Sequence, residues 1–169
     1  ADGEVVSVHC SGGLERMMRL IGQRADHALI RGRVSTRTAH VVAVSAGFDG
    51  MGLQYGPGYR TLERARSDAS NTAAARLRAR STQQGTVVHP ADLDDALCTS
   101  ALASSSADLA SGETRLPFAV DDARVQASYG EQWAVAARES AEAVYVCVGD
   151  RLGLHMTQLS GFKSRSVHA

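Results

Sequence analysis

Apolar and polar residues alternate in several segments of the chain, and this pattern predicts an antiparallel sheet with one face toward water. In the segment NTAAARLRARS, Ala75 and Leu77 alternate with Arg76 and Arg78. Short turns such as the Gly-Glu at 130–131 separate the last four segments, as in a meander of hairpin-connected strands. The predicted strands cover residues 4–10, 27–36, 71–81, 124–129, 132–140, 143–150 and 154–167.

One segment, from Pro90 to about Ser104, has the spacing and length of a long helix. Proline suits the first helical turn, and His89 before it can cap the helix N-terminus. A shorter segment, 13–21, also has helical spacing, although it fits a loop packed across the sheet equally well, and the small polar residues of 104–114 predict a loop. One long helix with strands on both sides predicts an α+β protein of the hotdog type, in which a curved, mostly antiparallel sheet wraps around the helix.

The predicted helix carries three aspartates, Asp92, Asp94 and Asp95, within four positions. Winding the helix at about 100° per residue forms an apolar arc that includes Asp94 and excludes Asp92 and Asp95. The apolar members of that arc are Leu93, Leu97, Cys98 and Ala101. A buried Asp94 carboxylate would have to be paired, hydrogen-bonded or protonated. The alternative interpretation places all three aspartates in water near the helix N-terminus, where negative charge is favourable.

The bulk composition limits the functional classes. With 169 residues the chain has room for one domain with a substantial core. The 18 basic and 18 acidic residues cancel, which gives no electrostatic argument for nucleic acid or an anionic membrane as a partner. The sequence has no apolar run near the roughly 20 residues that span a bilayer and no signal peptide at its start, so a cytoplasmic location is expected. It opens without Met, which indicates processing or a piece of a longer protein.

The cysteines and histidines give no pattern for a metal or a disulfide framework. The three cysteines, at 10, 98 and 147, are odd in number and far apart, which favours free thiols. No ligand cluster has the spacing of a metal site, so we expect neither a metal nor an organic cofactor.

Two motifs resemble one known family. The segment GLQYGPGYRTL (52–62) is similar to the Gly-Leu-x-Tyr-Gly-Pro-x-Phe motif of polyketide synthase dehydratase domains, and HPADLDDALC (89–98) is similar to their His-Pro-x-x-x-Asp-x-x-x-Gln/His motif. The later LPF (116–118) and QLSGFKSRSV (158–167) also lie where the family has a strand entry and its last strand. The resemblance begins at about Asp26 and matches the second half of such a dehydratase.

The resemblance implies a fold and a reaction. These dehydratases are double hotdogs with the active site between the halves, so residues 1–36 are expected to hold the end of the first hotdog and a linker, and 37–169 the second hotdog. A His of the first half removes the alpha proton of a beta-hydroxyacyl thioester on an acyl carrier protein, and an Asp of the second half assists departure of the hydroxyl. That Asp corresponds to Asp94, whose acid form would be favoured by desolvation among apolar groups. Asp92 and Asp95 are then expected to face water.

The same motifs predict the substrate pocket, which we expect Asp94 to face and Tyr55 to border. The predicted pocket residues are Tyr55, Gly56, Pro57, His89, Pro90 and Cys98. A role as a helix cap or as a turn residue explains the presence of most of these residues as well as a role in the pocket does.

The chain departs from the family at two points. Cys98 replaces the Gln or His that orients the catalytic carboxyl, and a thiol is a weak donor and acceptor. The family's catalytic His has only a partial counterpart, His9, so the base is expected from a first hotdog half or a homodimer partner. The resemblance therefore leaves open three functions: a dehydratase half, a cyclase or isomerase variant of the same fold, and a non-catalytic hotdog that binds an acyl chain.

Overall fold

A computed structural model describes residues 11–15, 32, 34, 37–39, 41–50, 52–69, 71–103, 115–153 and 156–166. Two helices of ten or more residues lie in this part of the chain: α1 (Val41–Gly50) and α2 (Pro90–Leu102). A single 3₁₀ turn covers Pro57–Tyr59. The strands are β1 (Arg37–Ala39), β2 (Leu62–Ser67), β3 (Thr72–Leu77), β4 (Arg115–Ala119), β5 (Asp122–Arg124), β6 (Gln132–Arg138), β7 (Val144–Asp150) and β8 (Met156–Ser166).

The strands of the described residues form one antiparallel sheet. Its order is β1-β2-β3-β6-β7-β8-β4, and β5 also pairs with β8. The predicted strands at 71–81, 132–140, 143–150 and 154–167 are confirmed as β3, β6, β7 and β8, with shorter bounds in the structure. Helix α2 contacts β3, β6 and β7 at the middle of this order. The sheet and its helix form the hotdog fold, as the sequence predicts.

The main core lies between α2 and the sheet. Alternate residues of the central strands point to the helix, among them Ala73, Leu77, Ala134 and Val146, all fully buried. Leu93 and Leu97 of α2 are partly buried against this cluster. Small alanines on both surfaces allow the helix and sheet backbones to approach closely, which explains the alanine-rich strands.

The centre of the sheet is also buried on its other face. Ala74, Val135 and Cys147 form a second core cluster there with Val34 and Met156. The expectation of one wet face is therefore wrong at the sheet centre, because Val34 packs against that face.

Several other expectations differ from the structure. The predicted strand at 124–129 is wrong over most of its length, since β5 covers only 122–124. The backbone N–H and carbonyl of Gln126 bond to the Thr157 hydroxyl and not to the backbone of a neighbouring strand. Helix α1 and strand β2 have no counterpart in the predicted elements. Residues 4–10 and 104–114 lie outside the described part, as do most of 13–21 and 27–36, and the described members of 27–36 are not in a strand. Neither helix of the described segments is long and apolar enough to cross a membrane.

Candidate functional site

The site is built where the turn between α1 and β2 crosses the start of α2. Pro57 opens the 3₁₀ turn, and Gly56 before it is extended. Arg60 ties this turn to its surroundings, because its Nε donates to the Tyr55 carbonyl at 2.7 Å and its Nη2 pairs with the Asp49 carboxylate at 3.1 Å. The turn, which we call the Tyr-Gly-Pro turn (residues 55–61), is thereby held against α1.

The N-terminus of α2 has the cap that the sequence allows. The buried His89 side chain accepts a hydrogen bond from the Ala91 backbone N–H, with 3.1 Å between Nδ1 and N. Pro90 occupies the first helical turn, where no backbone donor is lost. His89 therefore stabilises the helix end whether or not it also contacts a ligand.

The prediction that Asp92 and Asp95 face water is wrong. Both side chains are buried, and each residue is only 3% exposed. Asp92 accepts from Arg80 Nε at 2.5 Å, and Asp95 accepts from the Thr61 backbone N–H at 2.9 Å and from the Thr61 hydroxyl. The predicted arc was wrong only in placing these two aspartates in water, because the Tyr-Gly-Pro turn covers α2 on the side that the amphipathic pattern assigns to solvent.

Asp94 is half-buried on α2. Its Oδ2 is buried, and among the described residues it has no hydrogen-bond partner. Burial raises the pKa of the Asp94 carboxyl above its ordinary value of 3.8. Asp94 is thus a carboxyl that holds its proton more tightly than usual, and its Oδ2 has no partner among the described residues.

Tyr55 and Cys98 meet beside Asp94. Cys98 lies one helical turn after Asp94, and its Sγ donates a weak hydrogen bond to the Tyr55 hydroxyl at 3.7 Å. Burial and then the charge of Asp94 raise the pKa of the Cys98 thiol to about 12. Burial also raises the pKa of the Tyr55 hydroxyl, with further contributions from Cys98 and Asp94. Both groups remain protonated at neutral pH, so Cys98 is not a thiolate nucleophile.

A small cavity of about 30 Å³ lies between α1, the Tyr-Gly-Pro turn and α2. Its lining comprises Val41, Ser45 and Phe48 of α1, Tyr55, Tyr59, Arg60 and Leu62 of the turn and β2, and Asp95 and Cys98 of α2. The space holds one or two water molecules and is far too small for an acyl group.

The structure brings together some of the predicted pocket residues and separates others. Tyr55 and Cys98 line the cavity, whereas Gly56, Pro57, His89 and Pro90 do not. Asp95 lines it in place of Asp94. Sequence reasoning missed the contribution of α1, where the Phe48 ring packs edge-on against Tyr55 with 5.7 Å between centroids. The apolar run around Val41 was the available signal for this helix, although its residues have no strong amphipathic pattern.

The described side chains contain no group of three His, Cys, Asp or Glu that could hold a metal ion. The two cysteines in this part of the chain, Cys98 and Cys147, are both buried thiols.

Comparison with protein families gives one family. Residues 27–169 match the sequence model described as polyketide synthase dehydratase N-terminal domain. A curated relative, polyketide synthase GfsE of Streptomyces halstedii, is 34% identical over 138 residues, which cover 76% of this chain and 4% of that protein.

Comparison with solved structures gives the same fold. The dehydratase domain from the CurK module of curacin polyketide synthase has a TM-score of 0.73 at 17% identity, over 88% of this chain and 54% of that chain. A trans-AT polyketide synthase dehydratase domain from Brevibacillus brevis has a TM-score of 0.70 at 22% identity, over 85% and 53%. The chain spans about half the length of these dehydratase structures.

Proposed function

The chain belongs to the polyketide synthase dehydratase family, and from that premise we propose that it is the second hotdog of a dehydratase domain. It would remove water from a beta-hydroxyacyl group on an acyl carrier protein and yield the enoyl thioester. The order of the Tyr-Gly-Pro and His-Pro motifs supports the second position, whereas the matching family description names the N-terminal domain.

The state of Asp94 is the observation that carries the proposal. Its Oδ2 is buried without a partner among the described residues, and burial raises its pKa. A general acid needs a carboxyl that holds its proton more tightly than an exposed one, and burial acts on Asp94 in that direction. Two solved forms of the CurK dehydratase are described as inactive, one with a His replaced by Phe and one with an Asp replaced by Asn. We propose that Asp94 corresponds to that aspartate.

The reaction divides between two halves. A His of the first hotdog takes the alpha proton, the electrons of that C–H bond form the double bond, and the beta C–O bond breaks. The departing hydroxyl takes the proton of Asp94 and leaves as water. The Tyr55 hydroxyl contacts Cys98, which lies one helical turn after the acid.

The chain needs a second half for this reaction. Its cavity of about 30 Å³ cannot hold an acyl group, and it spans about half of the related dehydratase structures. Strand β4 ends the sheet order and exposes Leu116 (40%) and Phe118 (64%). An exposed apolar edge strand invites strand pairing. We propose that a first hotdog half bearing the catalytic His docks at β4.

The test is an assay of the chain combined with a His-bearing dehydratase half, using a beta-hydroxyacyl thioester on a carrier protein and following enoyl absorbance. Asp94→Asn keeps the shape and removes the acid, so kcat should fall by about 10²- to 10⁴-fold without loss of thermal stability. Asp122→Asn, at an exposed acid on β5, is the matched control and should leave kcat unchanged. Full activity of the Asp94 variant would overturn the assignment.

The partner also tests which half the chain represents. If the chain were a first hotdog, an Asp-bearing second half would restore activity and a His-bearing half would not. Product analysis separates dehydration from the cyclase and isomerase variants, because a cyclic ether or a shifted double bond replaces the conjugated enoyl product.

Cys98 favours one alternative function. A thiol with a pKa of about 12 is a weak orienting group for the Asp94 carboxyl, which is compatible with a hotdog that binds an acyl chain without reaction. Saturable binding of a beta-hydroxyacyl thioester by the assembled protein, without turnover, would support this acyl-binding module instead of the enzyme.

A further inference from the structure

The buried aspartates on either side of Asp94 both connect to the Tyr-Gly-Pro turn. Asp95 reaches Thr61 at the end of that turn, where its Oδ2 accepts from the backbone N–H at 2.9 Å and from the hydroxyl. Thr61 is itself buried, and its carbonyl accepts from the Arg78 N–H at 2.7 Å. Asp95 therefore holds a residue whose backbone is already part of the β2–β3 ladder.

Asp92 reaches the same turn through an arginine. Arg80 donates from Nε to Asp92 Oδ1 at 2.5 Å and from Nη2 to the Gly58 carbonyl at 2.9 Å. The pair is mostly buried, with 18% of the Arg80 side chain and 5% of the Asp92 side chain exposed. The arginine thus links the first turn of α2 to the middle of the 3₁₀ turn.

The two connections hold Gly58 and Thr61, which follow Tyr55 in the same turn. The phenol of Tyr55 lies 3.7 Å from Cys98, which is on the same side of α2 as Asp94. A buried carboxylate with two donors has a fixed geometry, and the energetic cost of leaving it unpaired keeps that geometry in place. A shift of the turn would move the Tyr55 hydroxyl relative to the Asp94 carboxyl.

We propose that Asp95 with Thr61, and Asp92 with Arg80, are two clamps that position Tyr55 against Asp94, and that neither Asp92 nor Asp95 exchanges a proton with substrate. The inference deepens the proposed function, because the positioned group matters for catalysis only if Asp94 is the acid. The Asp95–Thr61 clamp is the better one to test, since a single hydroxyl can be removed while the backbone N–H of residue 61 remains.

The first experiment measures the position of Tyr55 in the chain without any reaction. Replacing the four tyrosines with 3-fluorotyrosine gives ¹⁹F resonances, and Tyr55→Phe identifies the one from Tyr55. Thr61→Val should shift that resonance, and Thr61→Ser, which keeps the hydroxyl, should restore it. Thr157→Val is the matched control, because Thr157 is a buried threonine on β8 whose hydroxyl bonds to Gln126. It should lower the stability of the protein without moving the Tyr55 resonance.

The second experiment measures kcat in the assembled dehydratase. Misplacement of a positioned group by about 1 Å can cost up to about 100-fold in rate, so Thr61→Val should lower kcat by up to that factor with a small change in KM. Because Thr61 acts through Tyr55, the Thr61→Val/Tyr55→Phe double variant should lose no more than Tyr55→Phe alone.

The outcomes separate the inference from the function it rests on. An unmoved Tyr55 resonance in Thr61→Val, or additive losses in the double variant, would overturn the clamp and leave Asp95 a purely structural acid. An inactive assembled wild type would overturn the proposed function, while a shifted resonance rescued by Thr61→Ser would still support the clamp.

Discussion

Asp95 makes a prediction about how stability depends on pH. Burial, together with the charges of Asp94 and Asp92, raises the pKa of Asp95 from 3.8 to about 6, although the two donors of Thr61 act in the opposite direction. The folded protein therefore binds more protons than the unfolded chain between these two values. Stability contributed by the protonated form is fully present below pH 3.8, falls as the pH rises, and is lost above about pH 6.

The magnitude follows from the two pKa values. Each pH unit between them corresponds to about 1.4 kcal/mol, so ionisation of Asp95 should lower the free energy of unfolding by about 3 kcal/mol between pH 3 and pH 7. That is a large part of the 5–15 kcal/mol total of a typical domain.

The assay is urea denaturation across this pH range, followed by the fluorescence of Trp133, the single tryptophan. Asp95→Asn keeps an oxygen that can accept from Thr61 and carries no charge at any pH. Titrating groups far from Asp95 contribute equally to both proteins, so the difference between the two pH profiles reports Asp95 together with its coupling to the neighbouring aspartates. The wild type should lose about 3 kcal/mol more than the variant on going from pH 3 to pH 7. Parallel pH profiles for the two proteins would refute the reasoning.

Three further predictions concern stability and association. Arg80→Met should lower the free energy of unfolding in urea by about 3 kcal/mol, because it leaves the buried Asp92 carboxylate unpaired. Adding Asp92→Asn should recover most of that loss. A double variant no more stable than Arg80→Met would contradict the pairing. Gly161→Ala should lower the free energy of unfolding by about 1–3 kcal/mol, because Gly161 has φ of +64°. Gly58 has open space around it, so Gly58→Ala should change this free energy by no more than about 0.5 kcal/mol. Equal losses of stability by thermal denaturation would contradict the strain at Gly161. Phe118→Asp should weaken self-association of the chain, or docking of a first half, as measured by light scattering. A wild type that stays monomeric at high concentration and docks no first half would contradict this prediction.

The family and the fold follow from the sequence because they depend on local and periodic signals. The alternation in β3, β6, β7 and β8 fixes which segments are strands, and Pro90 after His89 fixes where α2 begins. Spacing within one helix also places Cys98 one turn after Asp94, without knowledge of any other element.

Only the tertiary structure decided which aspartate faces which surroundings. A helical pattern assigns one buried side, and it predicted Asp92 and Asp95 in water; instead the sheet covers α2 on one side and the Tyr-Gly-Pro turn covers it on another. The partners that make burial of these acids tolerable, Arg80 and Thr61, lie 12 and 34 residues away along the chain. Periodicity contains no information about such pairs, because a buried charge is allowed or forbidden by the donors that the rest of the fold brings to it.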